Sequence, residues 1–253
     1  MRIRIFKWAI FGLLLGAVAS GVALGAAERS EAEMGAWLSA LQPFGAHFEE
    51  NAGQLPPLAL YAFRGQGYRF DLKKNGIAMA TEPGTPHPMR IEFAGCESDV
   101  VASGRLPLAF RVQHPMAPER ASQGIVSAQA YEGVRMDGMY EGIDVDYQVQ
   151  DGKLRYDFIV APGANPDLIA LRFQGVSDVQ LDDDGNLVVD LGNGMVHQHK
   201  PFLYQIVEGA RKQVDGEYVR LAANEIGIRV GVYDAALPLI IDPVLTVIME
   251  DGD

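Results

Sequence analysis

The chain has 253 residues, with 21 Lys+Arg against 33 Asp+Glu, a formal charge of −12 and one cysteine. That acidity opposes binding to nucleic acid or to an anionic lipid surface, because like charges repel. A lone Cys96 permits no internal disulfide, so the fold must rest on an apolar core, in which Cys96 is read as a small hydrophobe.

Residues 1–25 have the layout of a secretory signal peptide. Arg2, Arg4 and Lys7 form a basic start, Ala9–Val18 an apolar centre, and Ala23 and Gly25 the small residues before a cleavage point after Gly25. The competing reading is an uncleaved anchor, since Trp8–Ala27 approaches the roughly 20 residues that cross a bilayer. Its Gly and Ala content and small-residue end favour cleavage. The expected compartment is therefore secreted, periplasmic or cell surface, with no membrane association after cleavage and an even more acidic mature chain.

Ser30–Leu41 is the predicted helix, in a segment 26–46 that also serves as linker. Ser30-Glu31-Ala32-Glu33 fits a capping box, and Met34, Trp37, Leu38 and Leu41 fall on one stripe before Pro43 and Gly45 end it. The stripe is read as packing on the domain or on a partner.

From residue 47 to 243 the grammar is β. Ile143, Val145 and Tyr147 alternate with Asp144, Asp146 and Gln148; Leu154, Tyr156 and Phe158 alternate beyond a turn at Asp151-Gly152. Two such runs around Asp-Gly predict a hairpin. Short strands are expected at Tyr68–Leu72, Ile77–Thr81, Met89–Ala94 and Leu108–Gln113. Further strands are expected at Leu168–Phe173, Val179–Leu181, Leu187–Leu191, Met195–His199, Phe202–Val207, Lys212–Val219, Ile226–Val232 and Leu239–Ile241. Strands at this spacing, divided by Gly, Asp and Asn turns, predict an antiparallel β-sandwich, one large or two fused. Residues 244–253 are expected to form an acidic tail.

Several of these pieces resemble a known family. They are Phe48-Glu-Glu-Asn-Ala-Gly-Gln54, Arg64-Gly-Gln-Gly-Tyr68, Tyr140-Glu-Gly-Ile-Asp-Val-Asp-Tyr147, Leu154–Pro166, Asp182-Asp-Asp-Gly-Asn-Leu187, Lys200-Pro-Phe-Leu-Tyr-Gln205 and Ile241-Asp-Pro-Val-Leu245. Over 48–245 the chain is similar to the uncharacterised N-terminal domain found ahead of SBBP-type β-propeller repeats in bacterial surface and secreted proteins. The resemblance implies an exported all-β domain and supplies no catalytic residues. It departs at Gly95–Ser127, and the residues after Pro243 hold no propeller repeat.

The chemistry-bearing candidates each have a plain structural reading. Asp144, Asp146 and Asp157 lie on the hairpin, where paired carboxylates serve glycoside hydrolysis or bind Ca²⁺; a solvated polar face is the plainer reading. Tyr147 and Tyr156 join them as candidate binding rings, although core pairing is the commoner fate of strand aromatics. His197 and His199 share a strand face at a spacing that chelates metal, without a third ligand nearby in sequence. Asp182–Asn186 starts like a calcium loop but lacks its Gly and Glu at the required positions, so it is read as a turn. No complete catalytic motif occurs. The chain is thus expected to be an exported, non-enzymatic module, without a cofactor, that binds an envelope protein or glycan. The alternative is a carbohydrate-active or metal-dependent hydrolase built on the aspartates.

Overall fold

The computed structural model describes residues 45–249 apart from 66–67, 81–88, 116–123, 192–193 and 244. The expected signal peptide and the Ser30–Leu41 helix lie outside the described residues. Within them the chain is β throughout, interrupted by one 3-10 turn at Pro166–Leu168 that Asn165 caps.

The strands follow in chain order. β1 (His47–Glu50), β2 (Tyr61–Arg64), β3 (Arg69–Lys73), β4 (Gly76–Ala80) and β5 (Arg90–Phe93) form a meander. β6 (Val101–Pro115) and β7 (Ile125–Tyr140) make a long hairpin, and β8 (Ile143–Gln150) and β9 (Lys153–Val160) the predicted shorter one. Asp151 and Gly152 both hold positive φ, 51° and 74°, as a two-residue turn matched to strand twist demands. Then come β10 (Ala170–Gln174), β11 (Asp178–Leu181), β12 (Leu187–Asp190), β13 (Gly194–Gln198), β14 (Phe202–Val207) and β15 (Ala210–Val214). β16 (Gly216–Ala222), β17 (Glu225–Val230), β18 (Leu239–Asp242) and β19 (Leu245–Met249) complete the set.

All the pairings among the described residues are antiparallel. A 15-stranded sheet runs β15-β14-β18-β9-β8-β7-β1-β2-β3-β4-β5-β10-β17-β16, with β6 on the side of β7, and β11-β12-β13-β19 form a 4-stranded sheet. The expected run Lys212–Val219 is therefore two strands, divided at Asp215. The expected acidic tail is also corrected: β19 pairs with β13 from Gly194↔Met249 to Gln198↔Leu245.

The long sheet forks at β7. Its Tyr131 pairs with Phe48 of β1, whereas Gly133 pairs with Gln148 of β8, so one edge of β7 serves two arms. Gly133 suits the fork because a Cβ there would stand 2.8 Å from the Tyr147 carbonyl oxygen. The far ends of the arms, β15 and β16, are joined by Asp215 alone, whose carbonyl accepts from Gly231 N at 2.8 Å. A sheet whose ends are consecutive in the chain must turn back on itself. Accordingly Phe93 of β5 meets Tyr156 and Phe158 of β9, with ring centroids 6.1 and 5.3 Å apart.

One large core cluster, beside a small satellite of Leu55, Ala59 and Ala62, has among its largest buried side chains Phe48, Phe63, Phe70, Phe93, Phe158 and Phe173. Each such ring contributes about 2–3 kcal/mol through burial. A polar chain secures the small sheet: Tyr156 OH donates to Gln198 Oε1 at 2.9 Å, and Gln198 Nε2 donates to Tyr218 OH at 2.7 Å. The fork makes a direct prediction. Gly133→Ala pushes a methyl into the β8 backbone, so it lowers stability by about 2 kcal/mol in urea unfolding; an unchanged midpoint would show that β8 does not approach β7 there.

Candidate functional site

Alternation along β8 sends Val145 and Tyr147 into the core and Asp144 and Asp146 to the opposite face. Register then aligns carboxylates across strands. Asp146 stands opposite Asp157, and the β9–β18 register, with Ile241 opposite Phe158, puts Asp242 beside Asp157. The three are only 5–7% exposed, although they face away from the apolar core.

Arginines cover this row. Arg105 Nη1 donates to Asp146 Oδ2 at 2.8 Å. Arg155 bridges the other two, with Nε 3.0 Å from Asp157 Oδ1 and Nη2 2.8 Å from Asp242 Oδ2. Asp146 Oδ1 and Asp242 Oδ1 are buried without a hydrogen bond. Arg155, with the more distant Arg211 acting on Asp242, does not outweigh the burial of the two carboxylates. Burial, then the Asp242 charge, pushes the Asp157 carboxyl up to about 6 against the pull of Arg155. Burial likewise raises Asp242, and the two carboxyls titrate as a pair.

Asp144 does not join the row. Its carboxylate accepts from the Gly138 N–H at 2.8 Å and from Arg135, fixing the irregular stretch of β7 near Tyr140. Tyr147 and Tyr156 need a correction: both rings are 0% exposed in the core, on the face opposite the aspartates, so neither offers a surface to a ligand. His197 is half-buried in β13 and His199 is exposed just beyond it. No three His, Cys, Asp or Glu side chains converge on a metal-sized point among the described residues. Asp182 closes a turn, accepting from the N–H of Asp184 and of Asn186. Cys96 packs half-buried against the core, and burial raises its thiol.

The cluster that sequence reasoning missed centres on Glu49, which is fully buried on the outer face of β1. Three donors meet it. Arg64 Nε lies 2.7 Å and His47 Nε2 3.2 Å from Oε1, and His114 Nε2 lies 2.8 Å from Oε2. His47 Nδ1 also faces the Gly45 carbonyl at 2.8 Å, so both its nitrogens meet acceptors, an arrangement that favours the doubly protonated ring. Burial would lower the His47 pKa, but the hydrogen bonds to Glu49 and Gly45 outweigh it and the net shift is upward. Burial would raise Glu49, yet His47, Arg64 and His114 bring it down to about 2. Ala62 and Ala130, the cross-strand neighbours of Glu49, leave room for these side chains. The sequence signal was scattered across residues 47, 49, 64 and 114, and only register assembles it.

The residues after Glu49 organise a loop. Asn51 Oδ1 accepts from the N–H of Gly53 at 2.9 Å and of Leu55 at 3.3 Å, while its Nδ2 donates to Ala59 O at 2.7 Å. Gln54 Nε2 donates back to Glu50 O at 2.8 Å. The Phe48–Gln54 run therefore joins a buried ion cluster to the loop that follows. A family described as "Domain of unknown function (DUF7948)" matches residues 48–244. The chain belongs to this family. Neither the search of curated proteins nor that of solved structures found a match.

The two clusters have opposite pH signatures. For Asp157 the folded pKa is raised, so its contribution is full below about 3.8 and is lost as pH rises through about 6. Asp157→Asn should remove that loss, adding about 2 kcal/mol at pH 7 and flattening stability over the interval; an unchanged pH profile would mean that the pair holds no proton. Glu49 is depressed, so its contribution is full above about 4.5 and is lost as pH falls towards about 2. Glu49→Gln leaves its cations uncompensated and should cost about 3 kcal/mol in denaturant at neutral pH. A cost below measurement error would show that Glu49 does not bind its cations.

Proposed function

We propose that this domain is an exported, non-enzymatic binding or assembly module of the bacterial cell envelope, in which the two arms of the long sheet form a β-sandwich. The arms meeting at Phe93 and Phe158, and the ends joined at Asp215, support the sandwich. The basic, apolar and small-residue order of residues 1–25 supports export, and the resemblance to domains of bacterial surface proteins supports the location. A binding role fits better than catalysis because Asp144, Asp146 and Asp157 each hold an arginine of their own sheet.

The observation that carries the binding role is β6. It has 15 residues and, among the described strands, pairs only with β7, so its outer edge is open. An open edge presents N–H and C=O groups in the pattern that an added strand needs. The edge is not uniform. Leu106 holds a φ of 53°, Pro107 has no N–H, and the register shifts before Arg111. These features divide the edge into two regular runs, Val101–Arg105 and Arg111–Pro115, of which the first starts at Val101, 62% exposed. A partner strand would add along the first, its specificity set by alternate side chains.

Amide hydrogen exchange tests this directly. In the free protein, the outward N–H groups of Val101–Arg105 other than Gly104, whose N–H meets the Tyr61 hydroxyl, should exchange quickly because they face solvent. They should become protected when a solubilised envelope fraction is added, while the exposed β15 amides remain unchanged. Equal exchange with and without the fraction would refute strand addition at β6.

A further inference from the structure

The outer face of β1–β3 carries a row of adjacent cations, two of them arginines with donors to spare. Cross-strand register puts His47 opposite Arg64 and Arg64 opposite Arg69. Side chains directly opposite one another have Cβ atoms about 5 Å apart, and like charges so placed repel. The neighbouring row reads Glu49, Ala62, Asp71, Ala78, so only two carboxylates face three cations. His114 reaches in from β6 and adds another positive charge when protonated. On β4 the adjoining positions are Ala78 and Ala80, and on β7 they are Ala130, opposite Glu49, and the exposed Glu132, which the register places opposite His47 and away from the two arginines.

The guanidinium groups keep unused donors. Arg64 gives only Nε to Glu49, and Arg69 gives Nη2 to Asp71 while its Nε stands 2.8 Å from the same carboxylate as an ion pair. Arg64 Nη1 and Nη2 and Arg69 Nη1 therefore have no protein partner among the described residues. Both side chains are about one-third exposed, 35% and 32%, so they are accessible while their charges are only partly hydrated. Adjacent arginines with free Nη groups match the several acceptor oxygens of a tetrahedral oxyanion.

We propose that Arg64 and Arg69, backed by His47, form a binding site for the sulfate or phosphate ester group of a glycan. The site is separate from the β6 edge and does not rest on strand addition there. A glycan suits it better than an anionic bilayer does. One ester group reaches a local cationic row, whereas an extended lipid surface also meets the rest of a chain of net charge −12.

The test is a heteronuclear NMR titration of the full chain at mildly acidic pH. Sodium sulfate is compared with sodium chloride at matched ionic strength, followed by dextran sulfate and by phosphatidylglycerol vesicles. Sulfate should shift the Arg64 and Arg69 Nε–Hε signals saturably, and chloride should not. Arg69→Lys keeps a counter-ion for Asp71 but loses the planar fork, so it should bind sulfate and dextran sulfate about tenfold more weakly. Shifts that match those of chloride, or an affinity unchanged in Arg69→Lys, would overturn the site. Because the first readout uses the unmodified chain, an unfolded variant would not leave the question open. Binding to vesicles without binding to dextran sulfate would overturn the glycan assignment.

Discussion

A strand has two edges, and β7 must serve three neighbours with them. It does so by length: its 16 residues pair with β6 along one side and divide the other between β1 and β8. Everything else about the long sheet follows from that division. One arm leads through β1–β5 to β10, β17 and β16, the other through β8 and β9 to β18, β14 and β15. Asp215 joins the arm ends, so the arms cannot spread flat, and their apolar faces meet at Phe93, Tyr156 and Phe158. The fork tolerates no side chain at Gly133, where the β8 backbone comes closest.

With the apolar faces turned inward, each arm sends its charged alternate positions outward, and some of these are nevertheless buried. Burying a lone charge costs several kcal/mol, so each must find a partner or lose its charge. The two arms solve this differently. Around Glu49 there are more cations than carboxylates, and the carboxylate stays ionised far into the acid range. Around Arg155 burial outweighs the pull of the arginines, and the Asp157–Asp242 pair holds a proton up to mildly acidic pH instead. The same sheet thus keeps a buried carboxylate charged on one outer face and a buried pair partly protonated on another.

Much of the local structure was legible in the sequence. The β8–β9 hairpin was fixed by period-two alternation around Asp151-Gly152, two residues that accept positive φ at small cost. The turn at Asp182–Asn186 was legible for the same reason. What depends on pairing between distant strands was not. Asp242 meets Asp157 only because β18 lies beside β9, and His114 meets Glu49 only because β6 lies across β7 from β1. Alternation along β8 and β9 already puts Tyr147 and Tyr156 on the face opposite the aspartates; what it does not reveal is that this face is wholly buried. Asp215 and β19 were missed because a one-residue corner and a short terminal strand carry almost no periodicity. The chain belongs to a family whose function is unknown, so its chemistry has to be argued from these side chains themselves.

The claim on which this account depends is that buried charge rows with opposite pH signatures sit on the outer faces of both arms. The most direct measurement is the free energy of unfolding in urea as a function of pH, from strongly acidic to slightly alkaline. The account predicts a maximum in mildly acidic solution, with a fall towards low pH as Glu49 protonates and a fall towards neutral pH as Asp157 and Asp242 both ionise. Stability that climbs from acid and levels off through neutral pH would contradict it, because the Asp157–Asp242 pair would then hold no proton in the folded protein.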